Sequence, residues 1–140
     1  MTSLQRINPG LLYPGVPYDY GAVAPPGSVL FTAGACPLDA QGRITAPGGL
    51  EAQARQALAN LVATLAEAGS SLSQVVKTTV YVATNDRSEL VRVWVVVEEG
   101  FAPARPPSTL LGVAVLGYPE QLVEIEAIAA VGTEGDRGSD

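Results

Sequence analysis

The spacing of hydrophobic residues changes once between Leu50 and Val82, and this change predicts a helix followed by a strand. Apolar residues recur every three or four positions on one helix face, at Leu50, Ala54, Leu58, Leu61, Leu65 and Ala68. Gly69 is expected to end the helix, because glycine adopts the left-handed C-terminal conformation without steric cost. The run 75–82 is β-branched and nearly alternating, which favours a strand. The helix should therefore pack its apolar face on a sheet that contains this strand.

A second helical pattern begins at Asp86. Asp86 is predicted to cap this helix, and Glu89 lies three residues further on, where it would complete a capping box. The expected buried face and the prolines that end the helix are Leu90, Trp94, Val97 and Phe101, then Pro103, Pro106 and Pro107.

Shorter apolar runs predict the remaining strands of the sheet. These strands are an edge strand near 4–7, a strand at 29–33 that ends at Gly34, and two later strands at 109–116 and 122–131. The order of elements predicts a small α+β domain with two helices on one face of a mixed sheet. We expect residues 1–131 to form this single domain and the tail 132–140, which has no apolar residue, to be disordered.

Composition favours an oligomer that does not bind nucleic acid. The 140-residue chain is 47% hydrophobic and only 16% charged, against about 25% charged residues in typical domains. This low charged share suggests that a partner subunit covers apolar surface, so we expect a homo-oligomer. The formal net charge is -6 and the one lysine is Lys77, whereas phosphate contacts need clustered lysine and arginine.

The sequence favours a cytoplasmic location. Residues 1–20 do not resemble a secretory signal, and no apolar run approaches the length of a membrane span. The single cysteine, Cys36, excludes an intrachain disulfide and fits a reducing compartment.

The absence of histidine removes many kinds of site. It excludes a Ser-His-Asp triad, a Cys-His dyad and every histidine-ligated metal centre. The glycines of 112–117 do not match a dinucleotide fingerprint, and no glycine-rich loop ends in Lys-Ser/Thr. We expect neither a metal nor a cofactor.

Two acids stand out in the final strand pattern, VEIEAIA. Glu124 and Glu126 lie two residues apart and share one sheet face, while Val123, Ile125 and Ala127 share the other. The acids fit the solvated face of a one-sided sheet. That is the usual case for such alternation, and the functional alternative is a site at a subunit interface, where a carboxylate orients a water or holds an ammonium or imine group.

Three other polar residues are weaker candidates. Lys77 could form a Schiff base if desolvated, although a lysine at an outward strand position is more often solvated. Cys36 lacks a histidine to activate it and is interpreted as a small buried apolar residue. Arg105 lies among prolines, where its guanidinium could clamp a carboxylate or sit in water.

Four blocks of the chain together resemble the RidA/YjgF family of imine and enamine deaminases. They are LFTAGACPLDAQGRI, EAQARQALANLVATLAEAGSSLSQVVKTTVYV, PPSTLLGVAVL and VEIEAIA, and the resemblance extends from about 20 to 131. It implies a chorismate-mutase-like α+β fold and a homotrimer with three clefts between subunits. It also implies a small-molecule substrate bound in those clefts.

The resemblance carries three cleft positions over directly. The glutamate that opens the final Glu-x-Glu strand, and that helps to position the attacking water in deaminating members, corresponds to Glu124. A cleft tyrosine corresponds to Tyr20, and the glycine after the first strand corresponds to Gly34.

Three other cleft positions differ from the family pattern. The arginine that binds the substrate carboxylate falls on Ser108, and Arg105 lies three residues too early. The serine after the first strand becomes Ala33, and an asparagine of the second helix becomes Arg92. Losing the arginine removes a charge-assisted contact to a carboxylate, so imines derived from amino acids should bind poorly.

Three explanations of these changes remain open. Arg105 or Arg92 reaches the cleft from a new position, the substrate lacks the carboxylate, or the cleft is not catalytic. The resemblance thus predicts hydrolysis of a small imine or enamine, with release of ammonia or an amine and with water positioned by Glu124. The alternative is a non-catalytic trimer that uses the same cleft to bind a small molecule or to act as a regulatory protein. Ribonuclease activity, an older label in this family, is disfavoured by the acidic balance and the absence of histidine.

Overall fold

The computed structural model describes residues 4–132, with only the backbone described at Gly21. It contains six strands, two α-helices and one short 3₁₀ helix. In chain order these are β1 (Gln5–Ile7), β2 (Gly21–Val23), β3 (Ser28–Phe31), α1 (Leu50–Glu67), the 3₁₀ helix (Leu72–Gln74), β4 (Val75–Ala83), α2 (Arg87–Phe101), β5 (Ser108–Val113) and β6 (Val123–Val131). The expected tail 132–140 lies outside the described residues, apart from Gly132.

The main sheet is mixed, as predicted. Its strand order is β3-β6-β4-β5. Strand β4 runs parallel to β5, to which it is joined through α2, and β6 runs antiparallel to both β3 and β4. Strands β1 and β2 form a separate two-stranded antiparallel sheet, of which β2 was not predicted. Strand β5 is an edge strand of the main sheet, and so is β3.

The core lies between the two helices and one face of the main sheet. Val80, Val82, Val123 and Ile125 point from the sheet into this core and are fully buried. The predicted stripe of α1 is buried at Leu50, Ala54, Leu58, Leu61 and Leu65. The predicted stripe of α2 is only partly right: Val97 and Phe101 are buried, but Val93 and Val96 are buried in place of Leu90 and Trp94, which are partly exposed. We call the opposite sheet face, which no helix covers, the open face.

The helix ends follow the sequence, with one correction. Gly69 adopts a φ of 78° directly after the C-cap of α1. The Asp86 carboxylate caps α2 by accepting a hydrogen bond from the Ser88 amide at 2.9 Å. Glu89 does not complete the predicted capping box: its carboxylate accepts from the Thr84 hydroxyl, which itself accepts from the Asp86 amide at 3.0 Å.

The strand predicted at 29–33 ends earlier, at Phe31, because the chain bulges away from β6. Thr32 donates its amide to the Ala127 carbonyl, and contact resumes at Ala35, whose amide donates to the Ile125 carbonyl at 2.7 Å. The chain from Thr32 to Ala35 is therefore opposite the shorter stretch from Ala127 to Ile125 of β6, so this segment contains one extra residue. The bulge contains Ala33 and Gly34.

Candidate functional site

The Glu124 side chain lies on the open face and is held by groups from three segments. In the antiparallel register, Glu124 pairs with Tyr81 of β4. Its Oε1 atom accepts a hydrogen bond from the Gln121 side-chain amide at 3.2 Å and one from the Cys36 thiol at 3.5 Å. The predicted alternation of β6 is confirmed, since Glu124 and Glu126 are partly exposed and their neighbours are buried.

Gly34 lies directly against the Glu124 side chain. A Cβ atom at position 34 would lie 2.4 Å from Cδ of Glu124 and 2.7 Å from its Cγ, distances that real Cβ atoms do not show. Any larger residue at position 34 would therefore displace the carboxylate. The bulge at 33–34 explains this approach, because it turns the chain where β6 presents Glu124.

Cys36 is only partly buried, which corrects its interpretation as a small buried apolar residue. Its single thiol proton can reach two acceptors, the Glu124 carboxylate and the Gly34 carbonyl, which is 3.6 Å from the sulfur. Burial raises the pKa of the thiol, and the negative charge of Glu124 raises it further. Cys36 is thus a neutral hydrogen-bond donor to Glu124 at ordinary pH.

Gln121 and Tyr81 are neighbours of Glu124 that the sequence analysis missed. Gln121 is buried, and its carbonyl oxygen accepts from the Tyr118 amide, which leaves its NH₂ group facing Glu124. Burial raises the pKa of Tyr81, and the carboxylates of Glu126 and Glu124 add to this. Tyr81 could have been found from its alternate position in the β4 pattern, whereas nothing in the sequence singles out Gln121.

Ser108 does not meet Glu124 within a protomer. It opens β5, pairs with Thr78 and shares the helix-covered face with it, so its hydroxyl and Glu124 lie on opposite sides of the sheet. The Ser108 hydroxyl donates to the Pro106 carbonyl at 2.9 Å and lies 2.9 Å from the Thr78 hydroxyl. A cavity of about 320 Å³ opens beside it.

Neither arginine offered as a replacement for the family arginine approaches Glu124 in the protomer. The Arg105 guanidinium donates to the carbonyls of Val16 and Tyr18, at 2.7 and 3.1 Å. Arg92 lies on α2 and forms a bidentate ion pair with Glu51, in which both N–O distances are 2.8 Å. The hypothesis that either side chain supplies the missing charge has no support within one chain.

The remaining candidates are also spread over the protomer. The Tyr20 hydroxyl donates to the Tyr13 carbonyl at 2.8 Å, so it belongs to the loop that Arg105 holds. Ala33 is exposed in the bulge. Lys77 donates to the Thr109 hydroxyl at 2.6 Å on the open face. Within a protomer, only Gly34 of the predicted binding residues joins Glu124.

Two further properties bear on function. Over residues 4–132, no three His, Cys, Asp or Glu side chains gather in a way that could hold a metal ion. Neither helix in that part of the chain combines the length and the apolar character needed to cross a membrane.

Comparison with known sequences identifies proteins that are similar to this chain. The profile of the family described as Endoribonuclease L-PSP matches residues 12–131. A RutC family protein of Pyrococcus horikoshii is 36% identical over 110 residues, covering 79% of this chain and 85% of the relative. The mouse protein named 2-iminobutanoate/2-iminopropanoate deaminase is 38% identical over 104 residues, covering 74% of each chain.

Solved structures agree with this relationship. A protein of the conserved Rid family from Yersinia pestis, described as of unknown function, superposes with a TM-score of 0.85 at 31% identity, covering 91% of this chain and 98% of that one. A Mycobacterium tuberculosis member of the YjgF/YER057c/UK114 family superposes with a TM-score of 0.62 at 30% identity, covering 92% and 100%. The fold, the family profile and these relatives agree with the sequence resemblance, and the chain belongs to the RidA/YjgF family.

Proposed function

We propose that this protein hydrolyses a small imine or enamine, working as a homotrimer in which Glu124 steers water in a cleft between subunits. One observation carries the proposal: the Glu124 carboxylate is held in place by the Gln121 amide, the Cys36 thiol and the bare backbone of Gly34. Such fixed positioning suits a group that must aim a water molecule. The mouse relative named as an imine deaminase supports the same reaction class.

The chemistry needs one carboxylate and water. Glu124 accepts a proton as the water oxygen bonds to the imine carbon, and the imine nitrogen takes a proton from solvent, which gives a carbinolamine. The protonated Glu124 then returns its proton to the nitrogen. The C–N bond breaks as the carbinolamine hydroxyl loses its proton to solvent, which leaves the carbonyl product and releases ammonia or an amine. Oε1 already accepts two hydrogen bonds, so Oε2 is the atom we assign to the water.

The cleft is proposed to lie between protomers. Ser108 and Glu124 face opposite sides of one sheet, so a site that contains both needs a second chain. Edge strand β5 is available for such a contact. The open face also exposes large apolar side chains, among them Phe31 (72% exposed) and Leu111 (43% exposed).

The natural substrate is proposed to lack a carboxylate next to its C=N bond. Ser108 stands where deaminating relatives are expected to have arginine, and Arg105 and Arg92 are committed to backbone carbonyls and to Glu51. The same observation favours the second candidate function, a trimer that binds a small molecule without turning it over. Nuclease activity is not proposed, since the chain carries a net charge of -6.

Turnover assays separate hydrolysis from simple binding. The two substrates are N-benzylidenemethylamine, an uncharged imine, and 2-iminopropanoate, which is generated in the assay mixture. Each is mixed with the wild type and with Glu124→Gln. We expect hydrolysis of the uncharged imine above the spontaneous rate, weak activity on 2-iminopropanoate, and a loss of about 10²–10⁴-fold in Glu124→Gln.

Glu126→Gln is the matched control, because Glu126 lies on the same strand and face but makes no hydrogen bond to Cys36 or Gln121. It should retain activity. Equal rates for wild type and Glu124→Gln on every imine would favour the binding function. Robust hydrolysis of 2-iminopropanoate would contradict the proposed substrate class.

A further inference from the structure

The cavity beside Ser108 has a composition unlike a carboxylate site. Its volume is about 320 Å³, within the range of small-ligand pockets. Two of the five lining residues carry a hydroxyl and none is charged: Ser108, Tyr18, Pro17, Trp94 and Leu110. It opens on the helix-covered side of edge strand β5.

In this structure the proton of the Ser108 hydroxyl is engaged within the protein. Its proton goes to the Pro106 carbonyl at 2.9 Å, so in the 2.9 Å contact with Thr78 the threonine is the donor. One lone pair of the serine oxygen is left over. A ligand N–H group can use that lone pair. The indole N–H of Trp94, which is buried without a hydrogen-bond partner among residues 4–132, is a neutral donor at the cavity, and no charged donor from those residues lines it that could compensate a carboxylate.

Arg105 does not place its charge in the cavity. Its guanidinium donates to the carbonyls of Val16 and Tyr18, so it holds the loop segment that forms one wall. The Tyr18 ring is braced from behind by Tyr20, with ring centroids 5.9 Å apart and an interplanar angle of 74°. Contacts between Arg105 and the segment 16–20, and within that segment, therefore hold this wall of the cavity in place.

We infer that this cavity binds the uncharged apolar part of the ligand, an alkyl or aryl group next to the carbon-nitrogen bond, and rejects a carboxylate. This inference rests on the proposed function only in naming the substrate class, since binding at this position does not need Glu124. Ser108 and the loop with Pro17 and Tyr18 would thus form an apolar site where the family resemblance predicts a site for a carboxylate.

The one tryptophan of the chain, Trp94, lines the cavity and reports on its occupancy. The matched probes are cyclohexyl methyl ketone and cyclohexanecarboxylate, which have the same ring and similar shape but differ in charge. Each is titrated into the full-length protein while the tryptophan fluorescence is followed, with N-acetyltryptophanamide as the control for collisional quenching. We expect a saturable change with the ketone, and at least about tenfold weaker binding of the carboxylate.

Two substitutions tie the signal to this cavity. Leu110→Phe fills it and Tyr18→Ala removes a wall, so each should weaken ketone binding about tenfold or more. Val62→Phe is the control, because Val62 is 40% exposed on α1 and does not line this cavity, and it should bind like the wild type.

The outcomes also separate this inference from the proposed hydrolysis. Saturable ketone binding without turnover of any imine would support the cavity and reject the reaction. Equal or tighter binding of the carboxylate, no saturable change, or equal effects of Leu110→Phe, Tyr18→Ala and Val62→Phe would overturn the inference.

Discussion

At the scale of single residues, the position of the Glu124 carboxylate depends on a glycine. Gly34→Ala places a methyl group within 2.4 Å of Cδ of Glu124. The side chain must turn away, and a displacement of about 1 Å at a reacting group costs about 10²-fold in rate. We expect this loss in steady-state imine hydrolysis, with the fold unchanged by circular dichroism.

Gly117→Ala is the control for this substitution. A Cβ atom at Gly117 would meet nothing within 4 Å, so the same change should leave the rate as it is. Equal activity of Gly34→Ala and Gly117→Ala would mean that a methyl group at position 34 does not displace the Glu124 carboxylate, which would contradict the prediction.

The Cys36 thiol offers an independent measure of the same carboxylate. Burial and then the negative charge of Glu124 raise the pKa of this thiol above its ordinary value. Glu124→Gln removes the charge, so the pKa should fall and alkylation by iodoacetamide should become faster at a given mildly alkaline pH. Because Cys36 is the one cysteine, mass spectrometry of the whole protein gives the rate directly.

Glu126→Gln again serves as the comparison. Glu126 is not among the groups that shift the pKa of Cys36, so the pH profile of alkylation should match the wild type. Identical profiles for wild type and Glu124→Gln would mean that the thiol and the carboxylate are not in contact in solution.

At the scale of elements, one ion pair links the two helices across the surface. The hydrogen bond from Arg92 lowers the pKa of Glu51 to about 2 from 4.5. A depressed folded-state pKa gives stability that is fully present above the unfolded value and is lost as the pH falls through the folded value. The pair should therefore stabilise α1 against α2 above about pH 4.5 and cease to do so near pH 2.

Thermal unfolding of wild type and Arg92→Ala tests this at low salt. We expect a small difference in Tm at pH 7 that shrinks steadily between pH 4.5 and pH 2. The difference at pH 7 should also shrink in 1 M salt, because both groups are exposed and screening then acts within about 3 Å. A difference independent of pH would assign the effect of Arg92 to packing.

The periodic elements could be predicted from sequence, because their faces are set by spacing alone. The α1 stripe, the β-branched run of β4 and the alternation around Glu124 all have the predicted orientation. Contacts between distant segments could not be predicted in this way. Cys36 meets Glu124 from 88 positions away, and Arg105 meets Val16 from 89 positions away.

The bulge at Ala33 and Gly34 shows the same limit on a smaller scale. Alternation in 29–33 predicts an unbroken strand, whereas the extra residue becomes visible only when this segment is paired with β6. The glycine is the one local signal, since an isolated glycine at a strand end often marks a close approach of two chains. The candidate site could thus be predicted at Glu124 from the alternation and at Gly34 from the family resemblance, but not at Gln121.

At the scale of the whole molecule, the open face of the sheet carries a group of exposed apolar side chains. Phe31, Val29 and Leu111 are 72%, 41% and 43% exposed there, and they share the face with Glu124 and with Glu126. Apolar side chains of this size, close together on a sheet, favour burial against other copies of the chain. Together with the homotrimer that the family resemblance implies, this predicts that light scattering gives three times the 14.4 kDa chain mass.

A charge on the open face should break this assembly. Phe31→Asp should give a folded species of 14.4 kDa that has also lost imine hydrolysis, because the proposed cleft needs two chains. Val62→Asp is the control, since Val62 is 40% exposed on α1, on the other side of the molecule, and its change should keep both the mass and the activity. A monodisperse wild-type monomer with full activity would show that Glu124 works within a single chain, and the interfacial cleft would then be wrong.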